Sequence, residues 1–343
     1  WLGYRRGGLA LATIGGCGAF AAVCGSSIAT AATMTQVALP EMKRFNYDYS
    51  LATGSIAAGG TIGILIPPSV ILVLYGILTE SNIGELFLAG FIPGILTIIF
   101  FMATIAITTR IFPDSGPRGE KTTFKQKIMA FKDVWGTVIL FVLVIGGIYT
   151  GIFSPEEAAG IGASGALALA LLARTMTWPI FLDCLMQTVR TSAMIFTILI
   201  GAILFNNFLV LSAVPDAIGA WIGNLPFTST VIMLIILLIY LIMGCALDSL
   251  AMILLTIPIF FPVVVNLGFD PIWFGIIVVM VVELGLITPP VGMNVFIIKG
   301  MAAEVPLSKI YKGVLPFVIA QILLITLIVF FPKIATWLPS TMG

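Results

Sequence analysis

The sequence predicts an all-α polytopic membrane protein built on an inverted internal repeat. Two observations carry that expectation. The 343 residues are 60% hydrophobic and only 9% charged, against about 25% charged in ordinary soluble domains. Sliding the chain against itself by 222 positions (289 − 67) then lays Gly63-Ile64-Leu65-Ile66-Pro67-Pro68 on Gly285-Leu286-Ile287-Thr288-Pro289-Pro290. With no gap, the same shift lays Ser26-Ser27-Ile28-Ala29 on Asp248-Ser249-Leu250-Ala251, Pro40 on Pro262 and Asp48 on Asp270. A duplicated membrane unit with polar, helix-weakening residues at equivalent depths points to a transporter's binding site.

Composition narrows the function classes. A net charge of +1 offers no basic field for nucleic acid. With no histidine, and cysteine only at Cys17, Cys24, Cys184 and Cys245, zinc, haem and triad chemistry are disfavoured and no transition-metal site or catalytic residue is expected. The cysteines sit in apolar runs and read as small buried hydrophobes. Neither Gly-x-Ser-x-Gly nor His-Glu-x-x-His is present, so an intramembrane enzyme is hard to assemble. An ion channel is the other rival, but proline-broken helices in an inverted duplicate build one midplane site more readily than an open pore.

Taken in order, Gly7 to Cys24 is an apolar run, and Ile28 to Met42 is a second one ending at Lys43-Arg44. Gly25-Ser26-Ser27 between them predicts one discontinuous helix with two half-helices. Asp48 caps the segment 51–66, which Pro67-Pro68 breaks before it resumes over 69–79. Proline inside a span frees carbonyls, tolerable in a membrane only where they face protein or a cavity. Glu80 to Glu85 is a loop, and 86–109 is long enough to span. Residues 110–133 are the basic loop, with Arg110, Arg118, Lys121, Lys125, Lys127 and Lys132 against Asp114, Glu120 and Asp133.

Two spans follow, 134–152 and 156–173, the second opened by Ser154-Pro155 with Glu156-Glu157. Trp178 to Arg190 is amphipathic and reads as interfacial. Next come 192–208, an irregular tip at Leu211 to Pro215 and a short helix to Asn224-Leu225-Pro226, together a re-entrant hairpin. The second copy covers 229–264, broken at Gly244 to Ser249, then 271–287, the Thr288-Pro289-Pro290 break and 291–299. Lys299, Lys309 and Lys312 mark an interface before the last span, 314–331.

Charge supports inversion. In the first copy the loop after the first span is basic and that after the proline break is acidic (Glu80, Glu85). In the second copy Val264 to Asp270 lacks a base while 299–312 is basic, so equivalent loops favour opposite faces under the positive-inside rule. Arg5-Arg6 fall on the wrong side of this scheme.

Several residues could carry chemistry. An intramembrane carboxylate such as Asp248 costs on the order of 3 kcal/mol to insert, so it reads as a cation or substrate ligand, or as an N-cap for the following helix. Gly25, Ser26 and Ser27 read as ligands, or as a cap and a close-packing turn. Hydroxyls and freed carbonyls suit a hard cation, with Thr61, Gly63, Ser249, Thr288 and Asn294 at matching depth. Glu283, opposite Thr61 in the repeat, is a ligand or a partner for a neighbouring group. Ser212 is a gate contact or a turn residue. Arg190 offers a fork for a substrate carboxylate, or snorkels to the interface.

The runs Gly25-Ser-Ser-Ile-Ala-Thr-Ala-Ala, Leu39-Pro-Glu-Met-Lys-Arg, Gly63-Ile-Leu-Ile-Pro-Pro-Ser, Leu247-Asp-Ser-Leu-Ala-Met and Glu283-Leu-Gly-Leu-Ile-Thr-Pro-Pro-Val-Gly-Met-Asn resemble the large membrane subunit of TRAP (tripartite ATP-independent periplasmic) transporters of the ion transporter superfamily. The resemblance covers nearly the whole chain. It implies Na⁺-coupled uptake of an organic acid by an elevator movement in the bacterial inner membrane, with a small membrane subunit and a periplasmic binding protein as partners. A carrier without a binding protein, coupled to sodium or protons, is the alternative.

By motif, at least two sodium sites would involve Gly25, Ser27, Thr61 and Gly63, and Ser212 with Ser249, Thr288 and Asn294. Ser26, Ser27, Arg190 and Asp248 would face the substrate. A sialic acid is the expected acid, among C4-dicarboxylates, 2-oxo acids and ectoine-like zwitterions. On this reading 1–80 is the first-repeat transport core and 84–175 a scaffold. Residues 176–305 carry the interfacial arm, the hairpin and the second-repeat core, and 306–343 the final scaffold span. The family's earlier helices and first hairpin would precede Trp1, so an N-terminal segment is expected to be missing.

Overall fold

The computed structural model describes residues 1–119, 123–132, 134–214, 217 and 226–341. Among these residues every regular element is helical. The first copy contributes α1 (Gly8–Cys24), α2 (Ser27–Arg44), α3 (Tyr49–Thr61), a 3-10 turn (Ile62–Ile64), α4 (Val70–Thr79) and α5 (Ile83–Ile111). The middle of the chain gives α6 (Phe124–Lys132), α7 (Trp135–Tyr149), α8 (Pro155–Leu172) and α9 (Trp178–Leu211). The second copy is α10 (Ser229–Gly244), α11 (Ser249–Asn266), α12 (Pro271–Gly285), α13 (Met293–Met301) and α14 (Leu307–Phe330), followed by the short α15 (Lys333–Thr336).

The repeat register holds helix by helix. Adding 222 to the bounds of α2 gives 249–266, the bounds of α11. The same shift carries Tyr49 of α3 to position 271, where α12 begins. Capping is duplicated as well. Asp48 and Asp270 each accept a backbone N–H in the first turn of the helix they open, from Ser50 and Trp273, both at 2.8 Å. Ser26 and Asp248 do the same for α2 and α11. The prolines at 67–68 and 289–290 are both joined by cis peptide bonds.

One expectation is overturned. Residues 7–42 do not form a single discontinuous helix; α1 and α2 fold back on each other as a hairpin. The cause is local. Gly25 takes φ 60, ψ 18 and closes α1 with its N–H on the Ala21 carbonyl, and Ser26 is then extended. That left-handed step, which glycine adopts without a Cβ penalty, reverses the chain. Both outer ends of the hairpin therefore lie together. The Leu9 N–H donates to the Tyr47 hydroxyl at 3.1 Å, and Gly7 and Asp48 both bond to the 115–116 loop.

The second copy repeats this fold-back. Thr230, at the start of α10, shares an apolar groove with Val329 and Phe330. The Trp273 indole, just past the end of α11, donates to the Ile328 carbonyl at 3.1 Å. The true broken helices are α3–α4 and α12–α13, interrupted at 62–69 and 286–292.

The two copies run in opposite directions. Lys43, in the last turn of α2, pairs with Glu304, after α13, and both Lys43 and Lys309 lie over the Tyr49 ring at 5.7 and 5.9 Å. At the other end, Glu85 and Asp270 line one cavity with Lys333, and the Tyr75 hydroxyl donates to the Pro271 carbonyl at 2.6 Å. Each copy's first loop thus meets the other copy's last loop. The hairpin also brings Arg5 and Arg6 to the end that holds Lys43, Arg44 and Lys309, which removes the conflict in the charge pattern. A basic end and an acidic end result.

The packing between copies is intimate. A Cβ on Gly54 of α3 would strike the Gly313 carbonyl of α14, and one on Gly313 would strike that of Ser50. Further along, α4 packs on α11 and α13 packs on α2, so each copy clasps the other. Helices α5 and α14 are long and apolar enough to cross a membrane, and the buried Phe101 and Phe317 rings join them edge to face.

The peripheral helices follow the sequence in part. Ser154 and Glu157 form a capping box on α8, and α8 packs on α7. The amphipathic segment 178–190 and the segment 192–208 are not separate; a single helix, α9, runs through both. No glycine or proline lies between them to break it. It packs on α11 through Ala202 and Leu254 and is otherwise largely exposed. The short helix expected after Pro215 lies outside the described residues.

This topology predicts a labelling pattern. On a cysteine-free background, Arg6→Cys and Lys309→Cys should react with an impermeant maleimide from the same side of the membrane, and Glu80→Cys from the other. Labelling of Arg6→Cys and Lys309→Cys from opposite sides would restore the single crossing by residues 7–42.

Candidate functional site

Both hairpin tips end in the middle of the molecule, and each is seated in a broken helix. At the first tip, the Ser26 carbonyl accepts from the Thr30 N–H at 3.0 Å and its hydroxyl at 2.8 Å. Gly25 and Gly63 are required here by close approach. A Cβ on Gly25 would lie 2.9 Å from the Pro68 carbonyl oxygen, and one on Gly63 would lie 2.9 Å from that of Ser26. The first tip thus presses into the 62–69 break. At the second tip, Gly244 packs backbone to backbone on Gly285, and the Gly292 N–H donates to the Cys245 carbonyl at 3.2 Å. The break itself is held from α14, where the Tyr311 hydroxyl donates to the carbonyls of Pro290 and Val291 at 2.8 and 2.7 Å.

A polar cluster crosses between the copies. The Ser27 hydroxyl, at the first tip, donates to the Glu283 carboxylate of α12, with oxygens at 2.7 and 2.8 Å. Both residues are buried. Asn294, fully buried on α13, donates through Nδ2 to the Ala57 carbonyl at 3.3 Å, and its Oδ1 has no hydrogen-bond partner. A Cβ on Gly60 would lie 3.0 Å from Asn294 Nδ2 and 3.2 Å from the Ser27 carbonyl oxygen. Ser27, Gly60, Glu283 and Asn294 therefore form one group, with no lysine or arginine paired to the carboxylate among the described residues.

The expected residues separate into three sets. Gly25, Ser26, Ser27, Thr61 and Gly63 gather at the first tip, with Thr61 directing its hydroxyl to Ala58 in its own helix at 2.7 Å. Asp248, Ser249 and Thr288 belong to the second tip and its break. Asp248 is half-buried, caps α11 through the Leu250 N–H at 3.0 Å and lies within electrostatic reach of Glu283. Asn294 joins the first tip. Arg190 and Ser212 lie on and at the end of the exposed α9; Ser212 closes that helix through its N–H to Phe208.

Glu283 does pair with a neighbouring group. Its signal in the sequence equalled that of Asp248, a carboxylate inside an apolar run, but its partner lies 256 positions away. Tyr311 gave no signal. A buried, unpaired amide oxygen beside a serine oxygen, backbone carbonyls and a carboxylate without a basic partner is a donor set that fits a hard monovalent cation.

Two oppositely directed hairpins, each capping a broken helix around one buried polar centre, define a secondary transporter. The chain belongs to the DctM component family of tripartite ATP-independent periplasmic transporters, whose family model matches residues 1–334. It is 35% identical to the C4-dicarboxylate TRAP transporter large permease protein DctM of Pseudomonas aeruginosa, covering all of this chain and 80% of that protein. It is 34% identical to the isethionate TRAP transporter permease protein DctMQ of Oleidesulfovibrio alaskensis, over 97% of this chain and 52% of that one. It is 31% identical to the sialic acid TRAP transporter large permease protein SiaM of Vibrio cholerae, over 94% and 75%. It is a transport permease and not an enzyme.

The Tyr311 contact gives a stability prediction. Tyr311→Phe leaves the Pro290 and Val291 carbonyls without a donor and should cost about 1 kcal/mol, read as a lower unfolding midpoint of the purified protein. An unchanged midpoint would show that the two carbonyls find another donor.

Proposed function

We propose that this permease carries an organic acid across the bacterial inner membrane by sodium symport, with a small membrane subunit and a periplasmic binding protein as partners. The observation that carries the reading is the cross-repeat cluster of Ser27, Gly60, Glu283 and Asn294 between two seated hairpin tips. Bound there, Na⁺ would supply positive charge against Glu283 and Asp248 and bring order to the broken segments.

The chain's own groups have these roles in the proposal. The Ser27 oxygen, the Asn294 Oδ1 and freed carbonyls from Gly25 to Gly63 hold the first ion, with Thr61 beside them. Ser249 and Thr288 serve a second ion at the other tip. Ser26 and Asp248 face the substrate between the tips, where the protein must replace the water that a carboxylate anion leaves.

Orientation follows from charge. The end carrying Arg5, Arg6, Lys43, Arg44 and Lys309 is placed in the cytoplasm, so the binding protein meets the end with Glu80, Glu85 and Asp270. Transport is assigned to an elevator movement of the two-copy core. The backbone approach of Gly54 to Gly313 favours counting α5 and α14 with that core, and α7 to α9 with the stationary part. The relatives' names cover dicarboxylates, isethionate and sialic acids, whose shared chemistry is an organic anion; a sialic acid remains the proposed cargo.

Proteoliposomes containing the permease and its small subunit test the proposal, with radiolabelled acids, their binding proteins and an imposed Na⁺ gradient. Uptake is expected only with both the gradient and a binding protein, and Asp248→Asn and Ser27→Ala should abolish it. Uptake indifferent to both would leave a different carrier or, if ohmic current accompanies it, a channel.

A further inference from the structure

The Ser27–Glu283 bond joins the tip of one repeat to the helix of the other, and it has no counterpart. The repeat shift places Ser249 opposite Ser27 and Thr61 opposite Glu283, and Thr61 donates within its own helix instead. Glu283 is therefore not a relic of the duplicated scaffold. It also sits two residues before Gly285, against which the second tip packs. The end of α12 thus touches both tips, one through a hydrogen bond and the other through backbone contact.

A serine hydroxyl has one proton and two lone pairs. Here the proton is committed to the carboxylate, with Glu283 oxygens at 2.7 and 2.8 Å. Both lone pairs of the Ser27 oxygen are then left free of Glu283, in the same cluster as the Asn294 amide oxygen that lacks a donor. Without that acceptor, the hydroxyl proton is free to turn to another oxygen of the cluster, such as a freed carbonyl. That rotation would spend two cation-binding oxygens on one hydrogen bond.

We propose that Glu283 is a positioning residue that fixes the Ser27 hydroxyl proton, presents the Ser27 oxygen to a monovalent cation at the first hairpin tip, and ties that tip to the second repeat. The proposal rests on the sodium-coupled reading and adds to it a residue that acts through Ser27.

The test is a double-mutant cycle on the purified permease with its small subunit. The unfolding midpoint is titrated with NaCl at constant ionic strength in choline chloride, and Na⁺ activation of uptake is measured in parallel. Glu283→Gln keeps one acceptor but loses the charge and offers a competing donor. The half-saturating Na⁺ concentration should rise about tenfold, the weight of one charge-assisted hydrogen bond. The midpoint without Na⁺ should fall as well, because the tie between the repeats is weakened, so the proposal is read from the additional, Na⁺-dependent shift.

Glu283→Asp, which keeps the charge one methylene further back, should fall between the two. If Glu283→Gln does not fold, Glu283→Asp carries the same test with a smaller shift. The Ser27→Ala/Glu283→Gln double variant should respond to Na⁺ no worse than Ser27→Ala alone. Additive losses, or a Na⁺ titration of Glu283→Gln or Glu283→Asp matching the parent, would overturn the proposal. A parent protein that titrates identically with Na⁺ and choline would overturn the sodium-coupled reading together with it.

Discussion

A helix broken inside a membrane must find partners for the backbone groups that the break releases, because lipid supplies none. That constraint organises this molecule. The breaks at 62–69 and 286–292 are each filled by a hairpin tip of the same copy. Gly25 lies against Pro68, and Cys245 accepts from Gly292. The prolines cannot donate, so what remains at each break is an excess of carbonyl oxygen. Tyr311 occupies two of those oxygens from outside. The rest are the raw material of a cation site.

The glycines follow from the same demand. A tip can seat in a break only if backbone meets backbone, and a Cβ at Gly25, Gly63 or Gly285 would collide with the backbone of the facing segment. Close approach also explains the clasp of α3 with α14 at Gly54 and Gly313. Small residues there replace the side-chain interlock of a soluble core with direct van der Waals contact between main chains, the usual means of helix association in lipid.

Much of this was legible in the sequence, for identifiable reasons. The repeat register came from proline and serine positions that local backbone geometry fixes, and the helices reproduced it at Ser27 and Ser249, and at Tyr49 and Pro271. Capping by Asp48 was readable because a cap depends on neighbours within four residues. The fold-back at Gly25 was not. A straight break and a reversal can be written with the same Gly-Ser-Ser letters, and in the first copy the reversal includes a left-handed step at Gly25. The one available clue was the misplaced Arg5-Arg6 pair, a long-range charge conflict that the hairpin removes. Asn294 and Glu283 announced their cost but not their partners, which belong to the other copy.

The duplication is close in helix register and unequal in chemistry, and the inequality has direction. Positions 61, 66 and 72 of the first copy hold threonine, isoleucine and leucine, where the second holds Glu283, Thr288 and Asn294. Yet Glu283 and Asn294 both reach across to the first tip, to Ser27 and to the Ala57–Gly60 turn of α3. The second copy thus supplies the polar side chains of the first copy's tip, while its own tip brings a carboxylate in Asp248. Each half is incomplete without the other. A pair of identical inverted units would have built two equal sites; the divergence of these positions instead gathers a carboxylate and an amide oxygen at the first tip, where Glu283 accepts from Ser27 and Asn294 lies against Gly60.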